Sequence, residues 1–190
     1  DSVSRVRVRT WARNERAERL AVDLTTAIVD ADGRVVALAS TPQNIRPQET
    51  ALYDEEFEIV GPKRWSPASP DLYKVVSTVT AGGRTCDRYE TVFGIRTFEW
   101  NHDERRVYVN GEPVNIQGFS RHQEYPWLGD AIPYFINRMY LLDMKHNLNC
   151  TALRPGQYCS GPEVFALADS LGLITFAELP YVKNRPFSPE

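Results

Sequence analysis

What the sequence lacks narrows its class before any motif is read. Cysteine is scarce: Cys86, Cys150 and Cys159 form no CxxC pair and no metal-ligand spacing. Their odd number argues against a disulfide framework and leaves room for at most one bridge. No apolar run approaches the ~20 residues of a membrane-spanning helix, so no membrane partner is expected. Lys plus Arg (22) fall short of Asp plus Glu (25), giving a net charge of −3. The chain therefore offers no basic field for nucleic acid. Internal repeats and low-complexity tracts are missing too. The short charged runs Asp54-Glu55-Glu56 and Glu104-Arg105-Arg106 have neighbours of mixed sign and read as solvated surface. With 42% hydrophobic and 25% charged residues in 190, the composition is that of an ordinary globular protein with room for one large domain or two small ones.

Two textures follow one another along the chain. Up to residue 97 it reads as short strands separated by turn signals. Val6, Val8 and Thr10 alternate with Arg5, Arg7 and Arg9, the period-2 mark of a half-buried strand. A second strand runs from Leu20 to Val29, and Asp32-Gly33 turns the chain into Arg34–Leu38. Further strands are expected over Tyr53–Val60, Leu72–Thr80 and Cys86–Ile95. About seven short strands at such spacing predict an antiparallel β-sandwich of immunoglobulin-like architecture, with no Cys…Trp…Cys signature of antibody domains. Trp65 and Trp100 are expected in its core or in interdomain packing, and Asn14-Glu15 in a loop.

The period then lengthens. Asn110-Gly111 between Val107–Val109 and Val114–Ile116 is a hairpin signal. Ile132, Phe135, Ile136, Met139 and Leu142 form a helical stripe, with Asp130 as cap and Pro133 in the first turn, ending near Asn147. Leu148–Leu153 reads as a buried strand. A capping box of Ser160 and Glu163 opens a second helix with Pro162 in its first turn, and Gly172 closes it before the strand Leu173–Ala177. Strand and helix alternating through short links, with strands apolar on both faces, predict right-handed βαβ units. The tail Lys183–Glu190 is a polar, proline-broken loop.

The ordered phrases resemble glycoside hydrolase family 2, which includes β-galactosidases, β-glucuronidases and β-mannosidases. They are Trp65-Ser66-Pro67-Ala68-Ser69-Pro70-Asp71-Leu72-Tyr73, Phe93-Gly94-Ile95-Arg96 before Phe98-Glu99-Trp100, Val109–Gly118, Arg121-His122-Gln123-Glu124, Ala152-Leu153-Arg154 with Tyr158, Leu167–Leu173, and Ala177-Glu178-Leu179-Pro180. Arg-His-Gln-Glu and Ala-Glu-Leu-Pro look most like the β-galactosidase branch. The resemblance implies an immunoglobulin-like sandwich over 1–97 and the first part of a (β/α)8 barrel over 98–190, about three βα units. It also implies a retaining glycosidase parent acting on terminal β-galactosides. Alternatives are a β-glucuronidase or β-mannosidase parent, or a non-catalytic carbohydrate-binding or scaffold module.

Carried over from the family, His122 and Arg154 line the sugar subsite. Both follow apolar strand segments, and barrel sites gather at the C-terminal ends of strands. Glu178 follows the third strand as a site carboxylate or a partner of Arg154. Gln157 stands where β-galactosidases often carry His; an amide hydrogen-bonds a hydroxyl but cannot titrate. Trp127, with Tyr125, lies in the loop after His122 and is a candidate for stacking on a sugar face. His102 and His146 read as surface or helix-end residues. The family's two catalytic glutamates follow later strands, so neither is expected in these 190 residues. No cofactor is implied, and the magnesium ligands of some members find no match after Glu178. The segment alone is therefore expected to be inactive, and its unclosed barrel edge to drive self-association.

Overall fold

The computed structural model describes residues 2–156 and 159–179. Gln157, Tyr158 and the tail from Pro180 onward lie outside the described residues. The chain divides into two compact units. One runs to Ile95 with its Trp65–Pro70 loop left out; that loop and the residues from Arg96 onward make up the other.

The first unit is an antiparallel sandwich of β1 (Val3–Arg13), β2 (Leu20–Val29), β3 (Val35–Ile45), β4 (Thr50–Val60), β5 (Tyr73–Ala81) and β6 (Arg84–Phe93). One sheet pairs β1 with β4; the other has the order β3-β2-β5-β6. Alternation sets the faces. Leu24, Ile28, Tyr53, Phe57, Ile59, Tyr73 and Val75 point inward and are buried, while Arg5, Arg7 and Arg9 point outward opposite Glu58, Glu56 and Asp54. A slip of one residue would turn every one of these side chains to the wrong face, which is why the register is strict. β3 extends well past the expected Leu38, through Pro42. As an edge strand it tolerates a residue without an N–H donor.

The second unit opens with a meander of β7 (Phe98–Asn101), β8 (Arg106–Val109) and β9 (Glu112–Val114). Asn110 and Gly111 both take positive φ, 59° and 82°, as a type I′ hairpin requires. Then come β10 (Gly118–Ser120), α1 (Tyr134–His146), β11 (Ala152–Arg154), α2 (Pro162–Leu171) and β12 (Ile174–Thr175). Strands β10, β11 and β12 are parallel with β11 in the middle, and the two helices connect them. This is the start of a (β/α)8 barrel. Leu141 and Met144 of α1 meet Leu153 and Leu173 of the strand segments and Val164, Leu167 and Ala168 of α2. Gly118 is required by sterics: a Cβ there would stand 2.0 Å from the Ala152 carbonyl oxygen.

Several sequence expectations change here. Asp130 does not cap α1; Pro133 holds the N-cap position without a side-chain bond. The expected stripe is offset, with Phe135 and Met139 exposed and Ile136, Asn137, Leu141 and Met144 buried. The Ser160–Glu163 capping box does not form either. Gly161 is the N-cap, and the Ser160 hydroxyl is turned to the Pro155 carbonyl instead (3.5 Å). The Glu163 carboxylate folds back over Gly161, which places an acid in the first turn where the helix dipole favours it. Gly172 does close α2 in the left-handed region at φ 70°. Trp100 is not core: it is half exposed, its indole N–H donating to His102 Nδ1 at 3.2 Å.

Trp65 is buried, but in the second unit, although its sequence neighbours build the sandwich. Its Nε1 donates to the Asp169 carbonyl at 2.7 Å, and Arg96 lies over its ring at 4.7 Å. Its own carbonyl accepts from Asn110 Nδ2 at 3.0 Å. Two residues on, the Pro67 carbonyl accepts from Lys145 Nζ at 2.6 Å.

Candidate active site

The site is built by the C-terminal ends of the three parallel strands. β10 ends at Ser120 and leads into Arg121 and His122; β11 ends at Arg154; the chain reaches Glu178 just beyond β12. The sheet order sets Arg154 between the other two. Its Nη1 donates to Ser120 Oγ at 3.0 Å and its Nε to Glu178 Oε1 at 2.5 Å. A guanidinium has five N–H donors in a planar fork, so donor capacity remains after these two bonds. The Arg154–Glu178 pair is partly exposed, at 41% and 32% of the side chains. Its Coulomb attraction is therefore partly screened, and the geometry does more than the charge to orient the fork.

Arg121 stands beside His122 in the same phrase, and its contacts are not foreseen by the sequence. Its backbone N–H donates to the Arg154 carbonyl at 2.8 Å, carrying the β10–β11 ladder one step past the strand. Its buried guanidinium donates to Asn137 of α1 and sits 5.4 Å from the centroid of the Tyr140 ring. A buried cation needs such partners. They explain why polar Asn137 occupies a buried helix position. The signal available in the sequence was Asn137 itself, a polar residue inside an apolar helical stripe.

His122 follows Arg121 onto the surface, with Nδ1 3.8 Å from Glu124 Oε2 and both side chains more than half exposed. Trp127 is fully exposed at the tip of a turn closed by the Tyr125–Gly129 bridge. Its φ of 71° is left-handed. A non-glycine residue held there costs of order 1–3 kcal/mol, a strain often found in ligand-contacting loops. Tyr125 packs edge-on to Tyr140 at 6.2 Å, linking this loop to the helix that holds Arg121. The structure thus brings Arg154 and Glu178 into direct contact, ties Arg121 to both β11 and α1, and leaves Trp127 free of the Arg154 bonds. The expectation for Gln157 falls outside the described residues. Among the described residues no three His, Cys, Asp or Glu side chains cluster as metal ligands would.

An immunoglobulin-like sandwich followed by the opening strands of a (β/α)8 barrel, with polar side chains gathered at the strand ends, defines a class of barrel enzymes built with accessory β domains. Comparison with known proteins narrows it. Residues 1–96 match the family described as glycosyl hydrolases family 2, and residues 102–185 match its TIM barrel domain. The chain belongs to glycosyl hydrolases family 2. It is 27% identical over 180 residues to a β-galactosidase of Thermoanaerobacter pseudethanolicus, covering 95% of this chain and 23% of that protein. It is 30% identical over 172 residues to a β-glucuronidase of Formosa agariphila, covering 90% and 17%. Among solved structures, Parabacteroides merdae β-glucuronidase superposes with a TM-score of 0.83 at 26% identity, covering 94% of this chain and 22% of that one. Bacteroides uniformis β-glucuronidase 2 gives a TM-score of 0.92 at 24% identity over 98% and 22%, a likeness of fold. The chain spans about a fifth of the length of the curated relatives.

Proposed function

We propose that this chain is part of a longer retaining glycosidase that releases terminal β-galactosyl residues, and that Arg154, His122 and Trp127 belong to its sugar subsite. Arg154 supports the reading most directly: a guanidinium at the end of the middle barrel strand, braced by Ser120 on one side and Glu178 on the other. A braced fork offers in-plane donors to vicinal hydroxyls, and it loses little entropy on binding because its rotamer is already set. Glu178 orients Arg154. Gln157 would add an uncharged hydrogen-bonding partner, and exposed Trp127 an apolar face for the sugar ring.

Retaining hydrolysis requires two carboxyl groups about 5–5.5 Å apart, one to protonate the leaving oxygen and one to attack the anomeric carbon. We assign neither role to Glu178, whose carboxylate is engaged with Arg154. The pair of carboxyls is to be supplied by later strands of the longer polypeptide, and the 190-residue chain alone turns over no glycoside. A glucuronide-cleaving parent is the second reading, favoured by the β-glucuronidases among the similar proteins.

Assay of the longer polypeptide against chromogenic β-galactoside, β-glucuronide and β-mannoside separates these readings; preference for either of the latter two overturns the first. In that protein Arg154→Lys keeps the charge but loses the fork. One or two charge-assisted bonds at about 1.5–3 kcal/mol each predict a fall in kcat/KM of roughly 10- to 100-fold or more. Unchanged kcat/KM would remove Arg154 from the subsite.

A further inference from the structure

Asn110 carries a reactivity beyond its part in the hairpin. It is the one asparagine of the sequence followed by glycine. Gly111 has no side chain to hinder its backbone nitrogen, and even an added Cβ there would meet no atom within 4 Å, so packing does not shield the turn. That nitrogen can attack the Asn110 side-chain carbon Cγ. The new N–C bond forms as the Cγ–Nδ2 bond breaks, and Nδ2 leaves as ammonia, taking the Gly111 amide proton. The product is a cyclic succinimide. Water then opens it at Cγ to give aspartate, or at the main-chain carbonyl to give isoaspartate. Nothing is oxidised or reduced.

The fold bars this reaction twice. In its type I′ turn Asn110 is left-handed, at φ 59°, and the accompanying ψ keeps the next nitrogen on the far side of the Cα–C bond from Cβ. Ring closure therefore requires the turn to unwind. The side-chain amide is also held at both ends. Its Oδ1 accepts from the Thr97 N–H at 3.0 Å, and its Nδ2 donates to the Trp65 carbonyl at 3.0 Å. Turning Cγ onto the Gly111 nitrogen breaks both bonds. The second belongs to the Trp65–Pro70 loop, which lies in the same compact unit as the hairpin. That loop has anchors of its own: the Trp65 indole on the Asp169 carbonyl at 2.7 Å and the Lys145 ammonium on the Pro67 carbonyl at 2.6 Å. Whatever frees the loop thereby weakens the hold on Asn110.

We propose that Asn110 is a site of spontaneous deamidation gated by the Trp65–Pro70 loop, and that the reaction acts as a one-way latch. Aspartate shares asparagine's tolerance of the left-handed region, so the hairpin re-forms after conversion. It has no N–H to return to the Trp65 carbonyl, and it sets a carboxylate oxygen against that carbonyl instead. Isoaspartate, with its extra backbone methylene, also disturbs the pairing of Phe98 with Val109. An opening that ends in deamidation is therefore preserved as a loosened loop. None of this depends on which glycoside the longer polypeptide cleaves.

Incubation of the 190-residue chain in mildly alkaline buffer, followed by mass spectrometry of its peptides, reads the rate at Asn110. Conversion should be at least about tenfold slower than in a capped peptide of residues 105–114, which corresponds to a local opening of about 1.4 kcal/mol or more. Lys145→Met removes the bond to the Pro67 carbonyl and should speed conversion in the folded chain roughly fivefold. Val22→Ala weakens the sandwich core instead and should leave the rate unchanged. Asn110→Asp installs the aspartate product directly. It should make the Trp65 indole N–H exchange roughly five- to tenfold faster by NMR, with the β7 and β8 amides still protected. If Lys145→Met fails to fold, the peptide comparison and Asn110→Asp decide. Equal rates in chain and peptide, no acceleration by Lys145→Met, the same acceleration by Val22→Ala, or an unmoved Trp65 indole in Asn110→Asp each overturns the proposal.

Discussion

The sandwich and the barrel unit spend their charged side chains in opposite ways. In the sandwich, ion pairs lie at the surface: Arg7 with Asp54 and Lys74 with Glu90 on outer sheet faces, and Lys63 with Asp32 between two loops. Its long strands are aligned by alternation, so these pairs embellish a register that apolar residues already set. In the barrel unit the parallel strands β10, β11 and β12 are only two or three residues long, too short for alternation to position them. Side chains bonded to backbone take over. Thr151 Oγ1 donates to the Asn115 carbonyl at 2.6 Å and accepts from Gln117 N–H at 3.0 Å. Lys145 reaches the carbonyls of Pro67 and Gly172 at 2.6 and 3.2 Å, and burial pushes its amine below the ordinary lysine value. Polar residues on the outer sheet faces of the first unit are therefore replaceable, whereas Thr151 and Lys145 of the second, like buried Asn14 at the end of β1, are structural.

The largest test of that contrast is Trp65→Ala. It removes a fully buried indole, its bond to the Asp169 carbonyl and its stack with Arg96. A loss of about 3–5 kcal/mol is expected, and exchange-resolved denaturation should show it in amides of α2 and β11 with sandwich amides unaffected. Equal loss in the sandwich would assign Trp65 to the first unit after all. Gly172→Ala should be smaller, about 1–3 kcal/mol, because the residue holds φ 70° and an added Cβ would stand 2.6 Å from the Pro67 carbonyl oxygen. A neutral result by urea titration would mean that the Trp65–Pro70 loop can give way.

The same contrast explains what could be read in the sequence. Period-2 alternation disclosed β1, β2, β4 and β5 because each buries one face. Asn110-Gly111 disclosed its hairpin because few other pairs tolerate two positive φ values. Pro42 hid the full length of β3, since proline argues against a strand unless the strand is known to be an edge. The caps of α1 and α2 were misread because Asp130 and Ser160 were judged by residue type, whereas the backbone at Pro133 and Gly161 sets where each helix starts. At the strand ends, Arg154 was singled out by the family resemblance and Glu178 by its place after the third strand, and the structure joins the two by a hydrogen bond. Arg121 was not singled out, because its partners Asn137 and Tyr140 lie a helix away in sequence and meet it only in three dimensions.

The smallest expected effect is the most discriminating, because it has opposite signs in the two units. In the sandwich, hydrogen bonds from Lys63, Arg7 and Lys74 hold the carboxyls of Asp32, Asp54 and Glu90 below their ordinary values of 3.8, 3.8 and 4.5. Groups depressed in the folded state contribute stability above their unfolded pKa and lose it as pH falls through the folded one. In the barrel unit, burial raises the Asp169 carboxyl above 3.8 against the opposing pull of Arg96. Its contribution is fully present below 3.8 and is lost as pH rises through the folded value. Exchange-resolved urea titrations at about pH 7 and about pH 3 should therefore show the sandwich weakening on acidification relative to the barrel unit. Asp54→Asn should flatten the first trend and Asp169→Asn the second, the latter raising barrel stability at neutral pH. Salt separates the causes. It screens the exposed ion pairs and shrinks the sandwich's slope, whereas the Asp169 shift comes first from desolvation and screening of Arg96 removes only an opposing pull, so its slope should persist or steepen. Two slopes that respond alike to salt would show that the barrel's charges are surface pairs as well, and the contrast would fail there.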